Sequence, residues 1–127
     1  MAQIVLPPVS LDNKSVNPRT VTATIQGGSS VSDDIIANGW RLSLIALDAS
    51  FAGTSLMVES SVDLSAWLPV YDRDGRVVLF EAGPSYAIVF PYEVGYALEA
   101  LRLVSNTSQA AGTPSNLTLM FHPPQGR

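Results

Sequence analysis

The chain of 127 residues contains no cysteine and a single histidine. The absence of cysteine excludes disulfides and thiolate zinc sites, so the fold must hold without covalent crosslinks. We expect the one histidine, His122, to be a strand-end residue at the rim of the fold rather than a general base. Neither a nucleophile elbow, a phosphate-cradling glycine loop nor a metal-binding histidine pair occurs in the sequence. We therefore expect a protein that is not an enzyme and that uses no metal or cofactor.

Charged residues are also scarce, at 14% of the chain, and the net charge is −4. The seven basic residues are scattered, so there is no basic stripe to neutralise phosphates and no basic amphipathic helix. We therefore expect neither nucleic acid nor membrane as a partner. The 46% of apolar residues can form a core. The low charge indicates either a surface covered by another subunit or a compact sandwich with a Ser/Thr-rich surface.

Long apolar runs are absent as well. No run approaches the roughly 20 residues that cross a bilayer. The first residues, MAQIVLPPVSLDNK, lack the charged start of a secretory signal. We expect one domain that is made in the cytoplasm and leaves the cell only as part of something larger.

Strand patterns dominate what remains. In Arg19–Gln26, Val21, Ala23 and Ile25 alternate with threonines, which is typical of a strand with one buried face. Weak helical patterns occur at Ser32–Asn38 and at Tyr92–Ala100. Seven further strands are predicted at Trp40–Leu47, Thr54–Ser61, Leu68–Tyr71, Arg76–Glu81, Tyr86–Phe90, Ala100–Val104 and Leu117–Phe121.

The segment from Gly53 to Gly75 is the most informative one. A strand, a polar corner at Ser60–Ser65 and a second apolar run precede Asp74-Gly75, a pair that favours a type I′ hairpin. A calcium loop starting at Asp72 is excluded, because its twelfth position is a glycine. About eight strands without an internal repeat predict an all-β, antiparallel, jelly-roll-like β-sandwich with extended N- and C-terminal arms.

Prolines flank apolar residues at both ends of the chain. We divide it into an extended arm (1–18), a sandwich domain (19–122) and a tail (123–127). The arms pack either on their own domain or on a neighbouring subunit, and Ile4-Val5-Leu6 is a candidate docked edge strand. On the second alternative, a chain without residues 1–8 would fold but attach weakly. The predicted interface residues are Ile4, Val5, Leu6, Pro7, Pro8, Phe121, His122 and Pro123.

Aromatic residues offer an alternative binding surface, because exposed rings can stack on sugars. We expect Trp40 to lie in the core, while the position of Trp67 stays open. Arg102, inside an apolar strand, should face solvent or pair with a carboxylate such as Asp63 or Glu99. The predicted residues of this alternative ligand site are Trp67, Tyr71, Asp72 and Asp74.

Several motifs in residues 40–105 resemble a known family. They are a GT-x-L-x-V-E-S-S strand at Gly53–Ser61, a D-x-x-x-W-x-P-V corner at Asp63–Val70, a D-x-D-G hairpin at Asp72–Gly75, and strands at Tyr86–Pro91 and Leu101–Ser105. In this order they resemble small proteins of tailed-phage structural gene clusters, including the jelly-roll capsid decoration (cement) proteins. Tail and fibre proteins and carbohydrate-binding modules share the same sandwich.

This resemblance implies a structural protein that binds the outer face of an assembled phage capsid and bridges subunits of the major capsid protein. It also implies a homo-oligomer, with a homodimer favoured over a homotrimer, that is made in the host cytoplasm and resides on the virion. The alternative function is a carbohydrate-binding module or a receptor-binding tail or fibre domain.

Overall fold

The computed structural model describes residues 3–7 and 17–123. Pro8, most of the predicted N-terminal arm and residues 124–127 of the predicted tail lie outside the described residues. The ten strands and one helix of the described chain are β1 Gln3–Val5, β2 Arg19–Ile25, β3 Asp34–Ile36, β4 Arg41–Leu47, β5 Ser55–Ser60, β6 Leu68–Pro69, β7 Leu79–Glu81, β8 Ala87–Val89, α1 Tyr92–Ala97, β9 Ala100–Ser105 and β10 Ser115–His122.

The strands form two sheets. Sheet A has the order β1-β3-β9-β5-β6, with β7 also paired to β5, and sheet B has the order β2-β10-β4-β8. Strand β1 runs parallel to β3, while the other pairs of described strands are antiparallel. Strand β6 pairs with Glu59–Ser60 of β5, and β7 pairs with Ser55–Met57 on the same edge of β5. Strands β6 and β7 therefore occupy one position in the sheet, as a single interrupted strand. Without β1, eight strands then remain, and their orders in the two sheets, β2-β10-β4-β8 and β3-β9-β5-β6/β7, are those of a jelly roll. The all-β sandwich predicted from the sequence is confirmed.

The core lies between the sheets and follows the strand alternation. Leu117 and Leu119 of β10 are fully buried, as are Leu101 and Leu103 of β9. Burial of each such side chain contributes about 1.5–3 kcal/mol relative to an exposed position. Trp40 is 6% exposed and belongs to this core, as expected.

Strand β3 replaces one of the two predicted helices. The segment Ser32–Asn38 has a helical pattern, but Asp34–Ile36 pairs with β1 on one side and with β9 on the other. Ile35 is fully buried between the two sheets. Pairing on both sides and burial outweigh the weak local preference for helix.

Helix α1 is shorter than predicted, because Leu98 has extended backbone and Ala100 begins β9. Gly95 lies inside this helix and does not interrupt it. A Cβ at this position would lie 2.2 Å from the carbonyl oxygen of Leu42. The glycine therefore permits the close approach of α1 to β4.

The hairpin at Asp72–Gly75 differs from the predicted type I′ turn. Within this fully described hairpin only Gly75 has a positive φ, at 78°. The Gly75 N–H donates to the Asp72 carbonyl at 3.0 Å, and Asp72 Oδ1 accepts the N–H groups of Asp74 at 2.9 Å and Arg76 at 3.0 Å. This is a turn that ends in a left-handed glycine, Gly75, and it is stabilised by the side chain of Asp72, its first residue.

The N-terminal segment packs on its own domain. Leu6 is 1% exposed, its N–H donates to the carbonyl of Ile36 at 2.9 Å, and Trp40 Nε1 donates to the Pro7 carbonyl at 2.8 Å. At the other end, Phe121 is fully buried. The interface prediction is corrected for Leu6 and Phe121, because side chains in their own core are not available to a partner.

Asp48 joins the end of β4 to the start of β10. Its carboxylate accepts hydrogen bonds from the Asn116 N–H at 2.8 Å, from the Ser115 hydroxyl at 3.0 Å and from the Ser50 hydroxyl at 2.7 Å. Burial raises the pKa of Asp48, but these hydrogen bonds outweigh it and hold the pKa below its ordinary value of 3.8. The ionised carboxylate is therefore a structural group.

Replacement of Leu6 by alanine tests whether the N-terminal segment is part of the core. We expect Leu6→Ala to lower the free energy of unfolding by about 2–5 kcal/mol, because it leaves a cavity. The control is Val5→Ala at the neighbouring exposed position, which should change stability by less than about 0.5 kcal/mol. Equal stability of the two variants in urea denaturation would contradict this packing. Contrary to the sequence-based expectation, a chain without residues 1–8 should be destabilised.

The Asp48 carboxylate predicts a pH dependence of stability. Its contribution is present above the unfolded pKa of 3.8 and is lost as the pH falls through the lower pKa of the folded state. We expect Asp48→Asn to lower the free energy of unfolding by about 1–3 kcal/mol near neutral pH. This cost should become progressively smaller as the pH falls below 3.8. Asp74→Asn, at the exposed hairpin, is the control. A difference between Asp48→Asn and wild type that does not change with pH in urea titrations would refute this role.

Candidate functional site

Exposed apolar side chains are concentrated in one segment of the chain. Ten large hydrophobic residues of the described chain are exposed, and six of them fall between residues 62 and 79. These six are Val62, Leu64, Leu68, Tyr71, Val77 and Leu79. Because β6 and β7 lie on the side of β5 away from β9, residues 62–79 form a free edge of sheet A. We call residues 62–79 the docking edge.

The loop that opens the docking edge is fixed by Asp63. The Asp63 Oδ1 atom accepts the N–H groups of Ala66 at 3.0 Å and Ser65 at 2.9 Å and the hydroxyl of Ser61 at 3.1 Å. These hydrogen bonds, chiefly that from the Ala66 N–H, lower the pKa of Asp63. Val62 is fully exposed beside this hydrogen-bonded turn. The loop thus presents apolar side chains on an ordered backbone.

Leu64 adopts a strained conformation in the same loop. Its φ is 64°, in the left-handed region that costs a residue with a Cβ about 1–2 kcal/mol. Its N–H donates to the Ser61 hydroxyl at 2.8 Å, and its side chain is 47% exposed. Strain of this kind is often found at functional positions. The sequence predicts a polar corner at Ser60–Ser65, and the apolar residues Val62 and Leu64 inside this serine-rich turn are the signal for the exposed apolar surface found there.

Trp67 packs on the outer face of sheet A. The Arg102 guanidinium carbon lies 4.7 Å from the centroid of the Trp67 ring. Arg102 Nε donates to Glu59 Oε1 at 2.7 Å. Arg102 thus pairs with a carboxylate, as expected, but the carboxylate is that of Glu59, its neighbour in the β5–β9 register, and not one of the two examples Asp63 and Glu99. Trp67 is half-buried, with a cation on one ring face.

A cleft lies between the hairpin at Asp72–Gly75 and helix α1. Its volume is about 550 Å³, and a neighbouring cavity of about 200 Å³ continues it. Asp72 and Asp74 line the cleft, and Tyr71 lines the neighbouring cavity. Trp67 lines neither cavity. The structure thus brings together three of the four residues predicted for the alternative ligand site.

The cleft has an apolar floor and a charged rim. Val78 and Val94 are buried at its base. Across its mouth, Arg73 and Glu93 form an ion pair at 3.3 Å with both side chains well exposed. An exposed pair of this kind contributes little to stability and opens readily. The cleft therefore offers both apolar contact and hydrogen-bonding groups.

The other predicted interface residues lie apart from the docking edge. Strand β1 is at the opposite edge of sheet A, with Ile4 half-buried against the core and Val5 57% exposed. Pro7 is exposed, whereas His122 and Pro123 are half-buried at the end of β10. The interface prediction for these five residues stays a prediction.

No group of three or more His, Asp or Glu side chains in residues 3–7 and 17–123 could hold a metal ion. Within the same ranges, no helix has the length and apolar character needed to cross a membrane.

Comparisons with known proteins identify no family for this chain. No family model matches the chain, and no curated protein matches it in sequence. Among solved structures, the chain is similar to the Yersinia pseudotuberculosis-derived mitogen (YPM), with a TM-score of 0.40. The identity is 20%, and the match covers 89% of this chain and 91% of that chain. Similarity at this level supports no inference about function.

Replacement of Leu64 tests the strain in the docking edge. Leu64→Gly should be more stable than Leu64→Ala by about 0.5–1 kcal/mol, because only glycine adopts a positive φ without cost. The alanine variant is the matched control, since it removes the same exposed side chain and keeps the strain. Thermal denaturation of both variants measures the difference. A glycine variant no more stable than the alanine variant would contradict the strained conformation.

Proposed function

We propose that this chain is a non-enzymatic virion structural protein that binds the outer surface of a phage capsid and stabilises it by bridging major capsid protein subunits. The docking edge supports this proposal more than any other feature. Six of the ten exposed large apolar side chains of the described chain fall in this one segment, and concentrations of exposed apolar surface typically mark protein interaction sites.

Burial of the docking edge would supply the binding energy. Apolar surface removed from water contributes about 25 cal/mol per Å². Leu68 is 67% exposed and Leu79 is 54% exposed, so both have surface left to bury. The Asp63 hydrogen bonds hold the loop before binding, which lowers the entropic cost of association. Many copies on a repeating shell would add avidity to modest individual contacts.

The fold and the sequence resemblance support the phage assignment in different ways. The motifs of residues 40–105 resemble decoration proteins, and the jelly-roll sandwich is the fold that this resemblance implies. A jelly roll alone carries many functions, so the assignment depends on the docking edge and the motifs together. The proposed contact is the docking edge, in place of the terminal arms that the sequence suggested.

Co-sedimentation with capsid shells of the phage that encodes the chain tests this function. We expect saturable binding to empty shells and a loss of about tenfold or more in affinity for Leu79→Glu, because the change buries a charge. Val89→Glu places the same charge at a 77% exposed position of sheet B, where it should not affect binding. Wild-type chain that stays in the supernatant at all concentrations would refute the proposed function.

The cleft beside α1 favours one alternative, a carbohydrate-binding domain. Tyr71 is 61% exposed and could stack on a sugar ring, while Asp72 and Asp74 could accept hydrogen bonds from hydroxyl groups. On this alternative, Tyr71→Ala abolishes binding on a glycan array without a change in melting temperature. Trp67→Ala, which removes a ring outside the cleft, would leave glycan binding intact. An array with no bound glycan excludes this alternative.

A further inference from the structure

The outer face of sheet B carries little charge. Its residues alternate with the buried residues of β2, β10, β4 and β8. Arg41 and His122 lie at one end of this face, since they pair next to the buried residues Leu42 and Phe121. Beyond them the face carries uncharged side chains, those of Thr20, Thr22, Thr24, Leu44, Ala46, Ala87, Val89, Asn116, Thr118 and Met120. The outer face of sheet A, by contrast, carries the Glu59–Arg102 ion pair.

The strand registers arrange this face in two parallel rows. Thr20, Met120, Leu44 and Val89 lie side by side across the four strands, which makes a tall row. Thr22, Thr118, Ala46 and Ala87 lie side by side in the next positions, which makes a low row. The two rows are about 7 Å apart along the strands, so a ridge runs beside a shallow groove.

We infer that this face is the contact surface for a second copy of the same chain in a two-fold symmetric dimer. A two-fold axis parallel to the rows and midway between them places the tall row of each copy over the low row of the other. Leu44 then lies over the partner's Ala46, and Met120 lies over the partner's Thr118. The surface is thus self-complementary in shape, as an isologous contact requires.

The charge distribution favours the same occupant. Each copy carries a net charge of −4, so two copies repel one another over most approaches. The tall row and the low row contain no charged side chain, so these two rows can meet without the desolvation of an ion. Val89, on the edge strand β8, is 77% exposed, so such a contact would newly cover most of its side chain.

The size of the face determines the strength of this dimer. Four strands about 4.8 Å apart and two principal rows give a surface smaller than the roughly 800 Å² per partner of standard interfaces. The dimer should therefore be weak and exchange with monomer. It does not use the docking edge, so the inference is independent of the proposed function.

Sedimentation equilibrium between about 1 µM and 1 mM tests the inference. The wild-type chain should shift from monomer to dimer in this range. Val89→Glu and Ala46→Glu, which place a carboxylate in the tall and the low row, should each raise the dissociation constant about tenfold or more. Leu79→Glu, the same charge on the docking edge, is the matched control and should leave the dissociation constant unchanged.

The outcomes separate the two proposals. A wild-type chain that is monomeric throughout, a trimer or open chain in place of a dimer, or dimerisation that survives both sheet B substitutions would overturn the inference. Dimerisation lost equally in Leu79→Glu would overturn it as well, because the contact would then involve the docking edge. Shell binding is measured separately, so its loss or retention bears on the proposed function alone.

Discussion

The position of the last strand, β10, is the constraint on which the rest of the structure depends. β10 pairs over most of its length with β2 on one side and with β4 on the other. It joins the beginning of the sandwich to its end, and the Asp48 carboxylate fixes where β10 starts. These contacts are distant in sequence, so sheet B forms only when nearly the whole domain is present.

Closure of sheet B in this way determines which surfaces stay free. The core takes one face of each sheet, and the alternation of β2, β10 and β4 leaves threonine, alanine and a few large apolar residues on the other face of sheet B. In sheet A, the insertion between β6 and β7 prevents one long edge strand and projects the hairpin at Asp72–Gly75, while the Asp63 loop connects β5 to β6. The docking edge and the outer face of sheet B thus follow from the same topology.

The sequence predicted elements whose signals are local. Alternation in β2 and the apolar run of β4 identify strands without any knowledge of their partners. Strand β3 was missed, because its pairing with β1 and β9 is distant in sequence and the local pattern is helical. The Glu59 partner of Arg102 was missed for the same reason, since it depends on strand register. At the candidate site, the hairpin was located correctly, but the exposure of Val62 and Leu64 depends on the Asp63 turn, which composition does not reveal.

Hydrogen exchange on the chain bound to capsid shells tests the central claim, docking through residues 62–79, most directly. Amides in the Asp63 loop and the hairpin at Asp72–Gly75 donate hydrogen bonds at the surface, which open at a lower free energy than those of the core strands, so in the free protein they should exchange faster than the core amides. Our account predicts new protection on shell binding within residues 62–79, with no change at residues 3–7. Protection at residues 3–7 and 121–123, with the docking edge still exchanging quickly, would contradict it.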